Sequence, residues 1–433
     1  MKFEVNVKHF KKLFRPLLNS KYNRETLQIN SDTGGLRVKV IRGDVTAQLD
    51  LQAQMHQDLK YKCIEGGHGA VNIKSLVWFL KSFLPNETVL LDFPARMSMA
   101  TTPECNTEVE ISIEYAVANN KSLPYSTGKS KFCLDRKSFI DAIKAICFVL
   151  GKDRNNYYQG IFFEVSEDNI RCHAGTGFLF AIKNIKCERK KAKKKITFVL
   201  PKASLDCISS SLEAVSSPSV TIELFSKGEI CLLTSGNLTI RVDNIQPAAP
   251  IQIDKVLTYH YPDKLCINIS DLKYPIASIR AAAKKETEPF PRPVDINIDS
   301  ESGKMYFKYE GSASLSVAPL TIDSIIPAAT SSPLKLRCQW NYLAELYNRW
   351  ANQTAITIIC EINTTQMFVA KPKHPESVRS DEPDIIFFTA TKPKIDPAKQ
   401  AAEKENKQNA DKAKYRLINK LSAVNTTALY KEE

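Results

Sequence analysis

The feature that most constrains this chain is an internal repeat. A short alternating strand, a polar residue and a helix with apolar side chains at three- and four-residue spacing recur six times. The first copies are residues 3–7 leading into Phe10, Phe14 and Leu17, and 70–73 leading into Leu76, Leu80 and Phe83. Next come 132–134 with Phe139, Ile143 and Ile146, and 198–200 with Leu205, Ile208 and Leu212. The last are 265–267 with Leu272, Ile276 and Ile279, and 336–338 with Leu343, Leu346 and Trp350. The strand starts at 3, 70, 132, 198, 265 and 336 define a unit of about 65 residues. After each helix the pattern switches to period two, as in 36–41, 45–51, 161–165 and 170–173. That alternation predicts antiparallel strands with one face on the helix. Each unit reads β-α-β-β-β, an α+β class.

One helix over a few strands leaves sheet edges open, so the units are expected to fuse in pairs into three similar domains. The linkers fit that pairing: 119–128 and the Pro-rich 246–250 separate pairs, and 327–333 joins the halves of the last. The expected domains are 1–120, 129–250 and 257–391, followed by a basic tail, 392–433, outside the repeat. The tail carries ten Lys or Arg and six Asp or Glu, and residues 415–421 within it are amphipathic.

Function classes fall away on motif content. None of the phosphate-cradling, dinucleotide-binding, nucleophile-elbow or zincin motifs occurs. Glu65-Gly66-Gly67-His68-Gly69 and Gly175-Thr176-Gly177 read as turns, and Asp381 with Glu382 as a solvated loop. The 11 cysteines are scattered without C-x2-C spacing, and the six histidines show no paired ligand spacing, so buried free thiols are expected, with no metal and no cofactor. No apolar run approaches the ~18–20 residues of a membrane span, and the opening residues lack the apolar core of a secretion signal. A cytoplasmic protein with no membrane partner is expected.

Charge points to the partner. Lys and Arg number 60 against 47 Asp and Glu, a net +13, and the helices repeat a basic second face. Lys8, Lys11, Lys12 and Arg15 flank the first apolar stripe, and Lys74 and Lys81 share a face with Trp78 between them. Lys137 and Lys144 lie on the third helix, Lys202 alone on the fourth, Lys273, Arg280, Lys284 and Lys285 on the fifth, and Arg349 on the sixth. Such stripes are commonly solvated faces. Repeated on rigid helices of a basic protein, they also suit neutralising phosphates without reading bases.

Three segments carry a family resemblance. The opening Met1-Lys2-Phe3-x-Val5, the stretch Arg24-x-Thr26-Leu27-x-Ile29, and Tyr157-Tyr158-Gln159-Gly160-Ile161-Phe162-Phe163-Glu164 resemble the bacterial DNA polymerase III β subunit, or sliding clamp, over about residues 1–391. The family's segments read R-x-T-L-x-I and Y-[LI]-N-G-[MV]-L-[FL]-E. The resemblance implies a non-catalytic replication processivity factor: a head-to-tail homodimer closing a ring of six domains around double-stranded DNA, helices inward. It places Lys11, Lys12, Arg15, Arg24, Lys74, Lys81, Lys144, Lys152, Tyr157, Lys273 and Arg280 on or near the hole.

It also implies an apolar pocket between the second and third domains for short linear motifs of DNA polymerase, clamp loader and repair proteins. Its positions fall on Tyr158, Gly175, Gly177, Phe178, Phe180 and Pro247, and on the last strand at Phe388, Thr389, Ala390 and Thr391. Here the chain departs from the family. A-T-D-G-H-R-L-A is replaced by Ala174-Gly175-Thr176-Gly177-Phe178-Leu179-Phe180-Ala181, and the usual M-P-M-R-L terminus by Phe388-Thr389-Ala390-Thr391-Lys392, which runs on. The extra aromatics point to a pocket with a different motif preference, or to ordinary core side chains. The basic run at 189–195 falls in a loop, a DNA contact or a solvated turn. The competing class is a non-encircling nucleic-acid-binding scaffold or enzyme-associated subunit built from the same repeat.

Overall fold

The structure is a computed structural model that describes residues 1–18, 20–22, 24–53, 60–92, 97–100, 108–111, 130–150, 160–176, 179–187, 196–225, 229–243, 253–257, 263–283, 293–310, 321–327, 329–330, 334–351, 357–362 and 367–389. All six units are present. Unit one is β1 (Lys2–Asn6), α1 (Val7–Phe14), β2 (Thr26–Asp32), β3 (Gly35–Arg42) and β4 (Val45–Gln52). After an extra strand, β5 (Lys62–Glu65), unit two is β6 (Gly67–Asn72), α2 (Ile73–Lys81), β7 (Thr88–Asp92), β8 (Met97–Ala100) and β9 (Glu108–Ile111). Unit three is β10 (Ser130–Asp135), α3 (Arg136–Ile146), β11 (Gly160–Val165), β12 (Asn169–Gly175) and β13 (Leu179–Lys186). Unit four is β14 (Ile196–Pro201), α4 (Lys202–Glu213), β15 (Ser219–Phe225), β16 (Ile230–Ser235) and β17 (Leu238–Val242). A short helix, α5 (Ile253–Leu257), precedes unit five: β18 (Asp263–Asn268), α6 (Lys273–Ala283), β19 (Pro293–Asp299), β20 (Lys304–Glu310) and β21 (Thr321–Pro327). The two-residue β22 (Ala329–Thr330) leads to unit six: β23 (Leu334–Gln339), α7 (Trp340–Trp350), β24 (Thr357–Ile362), β25 (Met367–Pro372) and β26 (Ile385–Thr389).

The polar residue between strand and helix is an N-cap in the first three units. Asn6, Asn72 and Asp135 each accept a backbone N–H from the first helical turn, at 3.2, 2.9 and 2.7 Å. Such a cap is worth about 1 kcal/mol. Pro201 and Gln339 hold the same extended conformation without a side-chain cap bond. The glycines at 67 and 69, expected in a turn, lie instead in β6, opposite Ser31 and Ile29 of β2.

Pairing of units is achieved by exchange of first strands. β1 lies beside β7 of unit two, while β6 lies beside β2 of unit one. The same exchange sets β10 on β15 and β14 on β11, then β18 on β24 and β23 on β19. Each helix leaves its own first strand in the neighbour's sheet, so neither unit of a pair completes its sheet alone.

Last strands make the joins between pairs. β4 pairs antiparallel with β17, Leu49 opposite Leu238, in the eight-stranded sheet β10-β15-β16-β17-β4-β3-β2-β6. β13 pairs with β26, Leu179 opposite Phe388, in the nine-stranded sheet that β22 extends at one edge. Unit one thus joins unit four, and unit three joins unit six. The other two sheets are β5-β1-β7-β8-β9 and β21-β20-β19-β23, which leave β9 and β21 as edges among the described residues.

Helices and sheets share a core containing Phe10, Phe14, Phe79, Phe139, Phe163, Phe198 and Trp350, all at most 1% exposed. Truncating one of these to alanine costs about 3–5 kcal/mol. Nine of the cysteines in the described residues are free thiols, and burial raises those of Cys172, Cys231 and Cys338 far above the usual thiol range.

Candidate nucleic-acid interface

The first helix pair has a bare cationic surface. On α1, Phe10 and Phe14 point into the core, leaving Lys8, Lys12 and Arg15 exposed and Lys11 half-buried. On α2, Leu76, Phe79 and Leu80 are buried, and Lys74 and Lys81 are exposed. The lysines of the two helices feel each other: burial, and then the charge of Lys81, hold the Lys11 ammonium below its usual pKa. None of these six cations has an ion-pair partner among the described residues. Two like charges left close together are a surface that an anion relieves. Arg24 is exposed just before β2, and Lys273 and Arg280 are exposed on α6.

On the second pair Lys137 is exposed, but the other cations are engaged. Lys144 of α3 forms a 2.6 Å ion pair with Glu213 of α4, and this contact raises its pKa. Arg136 spans the same pair, donating to the Leu212 carbonyl near the end of α4 at 2.7 Å and to the Ser217 carbonyl just beyond it at 2.6 Å. Lys202 donates to the Leu150 carbonyl at 2.9 Å. In α7, Arg349 stacks 4.1 Å over the Phe148 ring and pairs with Glu345, which makes it a joint between units. Lys152 and Tyr157 lie outside the described residues, as do Lys284, Lys285 and the run 189–195.

Two of the pocket positions, Gly175 and Phe180, lie on the nine-stranded sheet at a cluster away from the main core. Gly175 stands opposite Phe180, and Phe180 opposite Phe387. Phe180 and Phe387 stack at 4.7 Å and form, with Ile182, Val369 and Ile253 of α5, an apolar cluster separate from the main core. Gly175 has to lack a side chain because a Cβ there would come within 2.1 Å of the Phe180 ring. Asp254 ties α5 down through an ion pair with Arg171 of β12. Glu382, expected in a solvated loop, is 4% exposed, and burial raises its carboxyl.

Strand parity sets Phe388 and Phe387 on opposite faces of β26. Phe388 faces the helix side, 4.6 Å from Phe368 and 5.6 Å from Tyr342, so the aromatic on the outer cluster is Phe387. Thr389 pairs with Met367 at the end of β26. Tyr158, Gly177, Phe178, Pro247, Ala390 and Thr391 lie outside the described residues. Phe387, Val369 and Ile253 were missed by reading motif positions singly, although the two-residue alternation of 385–389 was there to find Phe387.

Among the described residues no group of three or more His, Cys, Asp or Glu is placed to hold a metal ion, and no helix is long and apolar enough to cross a membrane.

No family model matches the sequence, and no curated protein matches it. Solved structures do match in three dimensions. The DNA polymerase III β subunit of Thermotoga maritima is 14% identical, covering 90% of this chain and 100% of its own at a TM-score of 0.70. That of Pseudomonas aeruginosa is 11% identical, with coverage of 91% and 100% and a TM-score of 0.72. The DnaN sliding clamp of Bartonella birtlesii, solved bound to griselimycin, is 13% identical, with coverage of 91% and 100% and a TM-score of 0.71. The likeness spans the six repeats, and the chain therefore has the fold of the DNA polymerase III β subunit sliding clamps.

Proposed function

We propose that this protein is a DNA sliding clamp, a non-catalytic processivity factor in which two copies close head to tail around duplex DNA. The observation that carries this reading is the order in which last strands pair. Unit one joins unit four and unit three joins unit six, a step of three along the chain. The same step from unit five calls for a unit eight, which is unit two of a second copy. β9 of unit two and β21 of unit five are the edges left over, each at the end of a four-stranded run. Joined, the two runs would make a third sheet of eight strands like the internal ones. Such a heterologous contact closes when its rotation does.

In this reading the domains run 1–120, 129–250 and 257–391, with the tail outside them. Lys11, Lys12, Arg15, Arg24, Lys74, Lys81, Lys273 and Arg280 supply phosphate contacts, joined by Lys152 and Tyr157, while Glu213 already occupies Lys144. Contacts of this kind bind duplex at only ~10⁻⁴–10⁻⁶ M at physiological salt, weak enough to slide while enclosure prevents escape. A polymerase held by a short linear motif at the outer Phe180–Phe387 cluster gains effective concentration at the primer end without new chemistry. Clamp loader and repair proteins would use the same cluster. The non-encircling scaffold is not favoured, since it gives no role to the two leftover edges.

Light scattering on the eluting full-length protein tests closure. The expected mass is about twice 48.6 kDa at micromolar concentration; a strict monomer would contradict the ring.

A further inference from the structure

The large apolar side chains left exposed are not spread over the repeat. Among the described residues they are Trp78, Leu84 and Tyr274, at 64%, 69% and 76% exposure, and Ile64 at 48%. Trp78 and Leu84 belong to unit two and Tyr274 to unit five, the two units with leftover edges; Ile64 is in β5, which leads into unit two. The units that have found their partners inside the chain show none.

Position within the unit says what covers them. Counted from the residue that caps each helix, Trp78 stands six positions on, where α4 has Cys207 and α7 has Glu345. Cys207 is fully buried and takes an N–H from Arg42 of unit one at 3.3 Å. One turn later, Ser211 donates to the Pro16 carbonyl at 2.8 Å and meets the Tyr22 hydroxyl at 3.3 Å. Its equivalent in α7, Arg349, covers Phe148 of unit three. In both cases this stretch of the helix of an even-numbered unit is covered by the unit three places earlier, from its helix end onward. Tyr274 is also six positions from its cap, Asn268. The equivalent in unit three is Asp141, which accepts a 2.6 Å hydrogen bond from Ser380 of unit six, again the unit three places away. Trp78 and Tyr274 thus occupy two places that each make a contact across an internal junction, Cys207 with unit one and Asp141 with unit six.

We infer that Trp78 and Tyr274 anchor the contact between two copies of this chain, with Trp78 and Leu84 of one copy buried against the end of α6, about Ser278 to Ala281, of the other. The occupant is a second copy because the equivalent places at Cys207 and Asp141 are covered by the chain's own units, and because the apolar faces and the unpaired strands occur in the same two units. This rests on the head-to-tail closure proposed above and adds which side chains hold it. An exposed tryptophan among Lys74 and Lys81 would otherwise be a place for an unpaired base to stack, and the test separates the two.

Dilution series by sedimentation, with tryptophan emission recorded on the same samples, compare wild type with Trp78→Ala, Tyr274→Ala and, as control, Lys74→Ala. Truncating a central aromatic anchor should raise the dimer dissociation constant roughly 30-fold or more for Trp78→Ala and about 10-fold for Tyr274→Ala, with no change for Lys74→Ala. The wild-type emission should shift to the red on dilution, and this shift should vanish in Trp78→Phe, which still dimerises. Because Trp78 is exposed in the single chain, an unchanged unfolding midpoint would show that Trp78→Ala is folded. Wild-type dimerisation by Trp78→Ala would overturn the anchor while leaving the ring standing. A wild type that never dimerises would instead remove the ring itself. Emission that responds to single-stranded DNA and not to dilution would make Trp78 a nucleic-acid contact and overturn the inference.

Discussion

The α1–α2 and α3–α4 pairs share one plan: two helices crossing between exchanged strands, with apolar stripes turned inward. Their outer faces differ. On the first, six cations stand without acids among the described residues, and Lys11 is held below its usual pKa by burial and by Lys81. On the second, Lys144 is held above its usual pKa by Glu213, and Arg136 is spent on carbonyls at the end of α4. One fold can therefore carry a bare cationic face and a structural face at equivalent positions. The net charge of the chain describes neither.

Changes to the first pair should have the largest effect. Lys11→Gln, Lys74→Gln and Lys81→Gln together should lower the logarithmic salt slope of duplex binding by about 2.7 and weaken binding roughly two to three orders of magnitude at ~0.1 M salt, read by fluorescence anisotropy. Next in size is a stability effect confined to the second pair. Arg136→Ala should lower unfolding stability by about 2–3 kcal/mol in urea titration, since it removes two hydrogen bonds from a charged donor, whereas Lys74→Ala should change it by no more than about 0.5 kcal/mol.

Removing the acid should convert one face toward the other. Glu213→Gln frees Lys144 and should steepen the salt slope by about 0.9, tightening binding up to roughly eightfold at ~0.1 M salt. The smallest effect belongs to Lys144→Gln. With its charge already neutralised by Glu213 and both groups about half exposed, it should change duplex affinity less than twofold and stability by under about 1 kcal/mol. If Lys144→Gln weakened binding as much as Lys74→Gln does, the contrast between the two pairs would be lost.

Much of this architecture was legible in the residues, because each unit repeats a local signal: alternation, a polar cap and a 3.6-residue stripe. Asn6, Asn72 and Asp135 cap where the pattern puts a polar residue. The exchange of first strands was not legible, since which edge β1 or β6 takes is decided by contacts far along the chain. For the same reason Lys144 looked like any other helix cation: Glu213 reaches it from another unit. The outer cluster was half legible. Gly175 and Phe180 are in it, but choosing between Phe387 and Phe388 requires knowing which face of β26 meets the helices, and the single-residue parity went the other way. The contribution of Ile253 depends on α5, a helix too short to leave a periodic signature.

The central claim is that the protein holds DNA by enclosing it, and retention on DNA of the same sequence in circular and linear form tests that most directly. After loading and a wash at high salt, the account predicts that protein stays on the closed circle and is lost from the linear molecule, and that cutting the circle releases it. Equal retention on both forms, fading together as salt rises, would contradict it and leave only an open cationic surface.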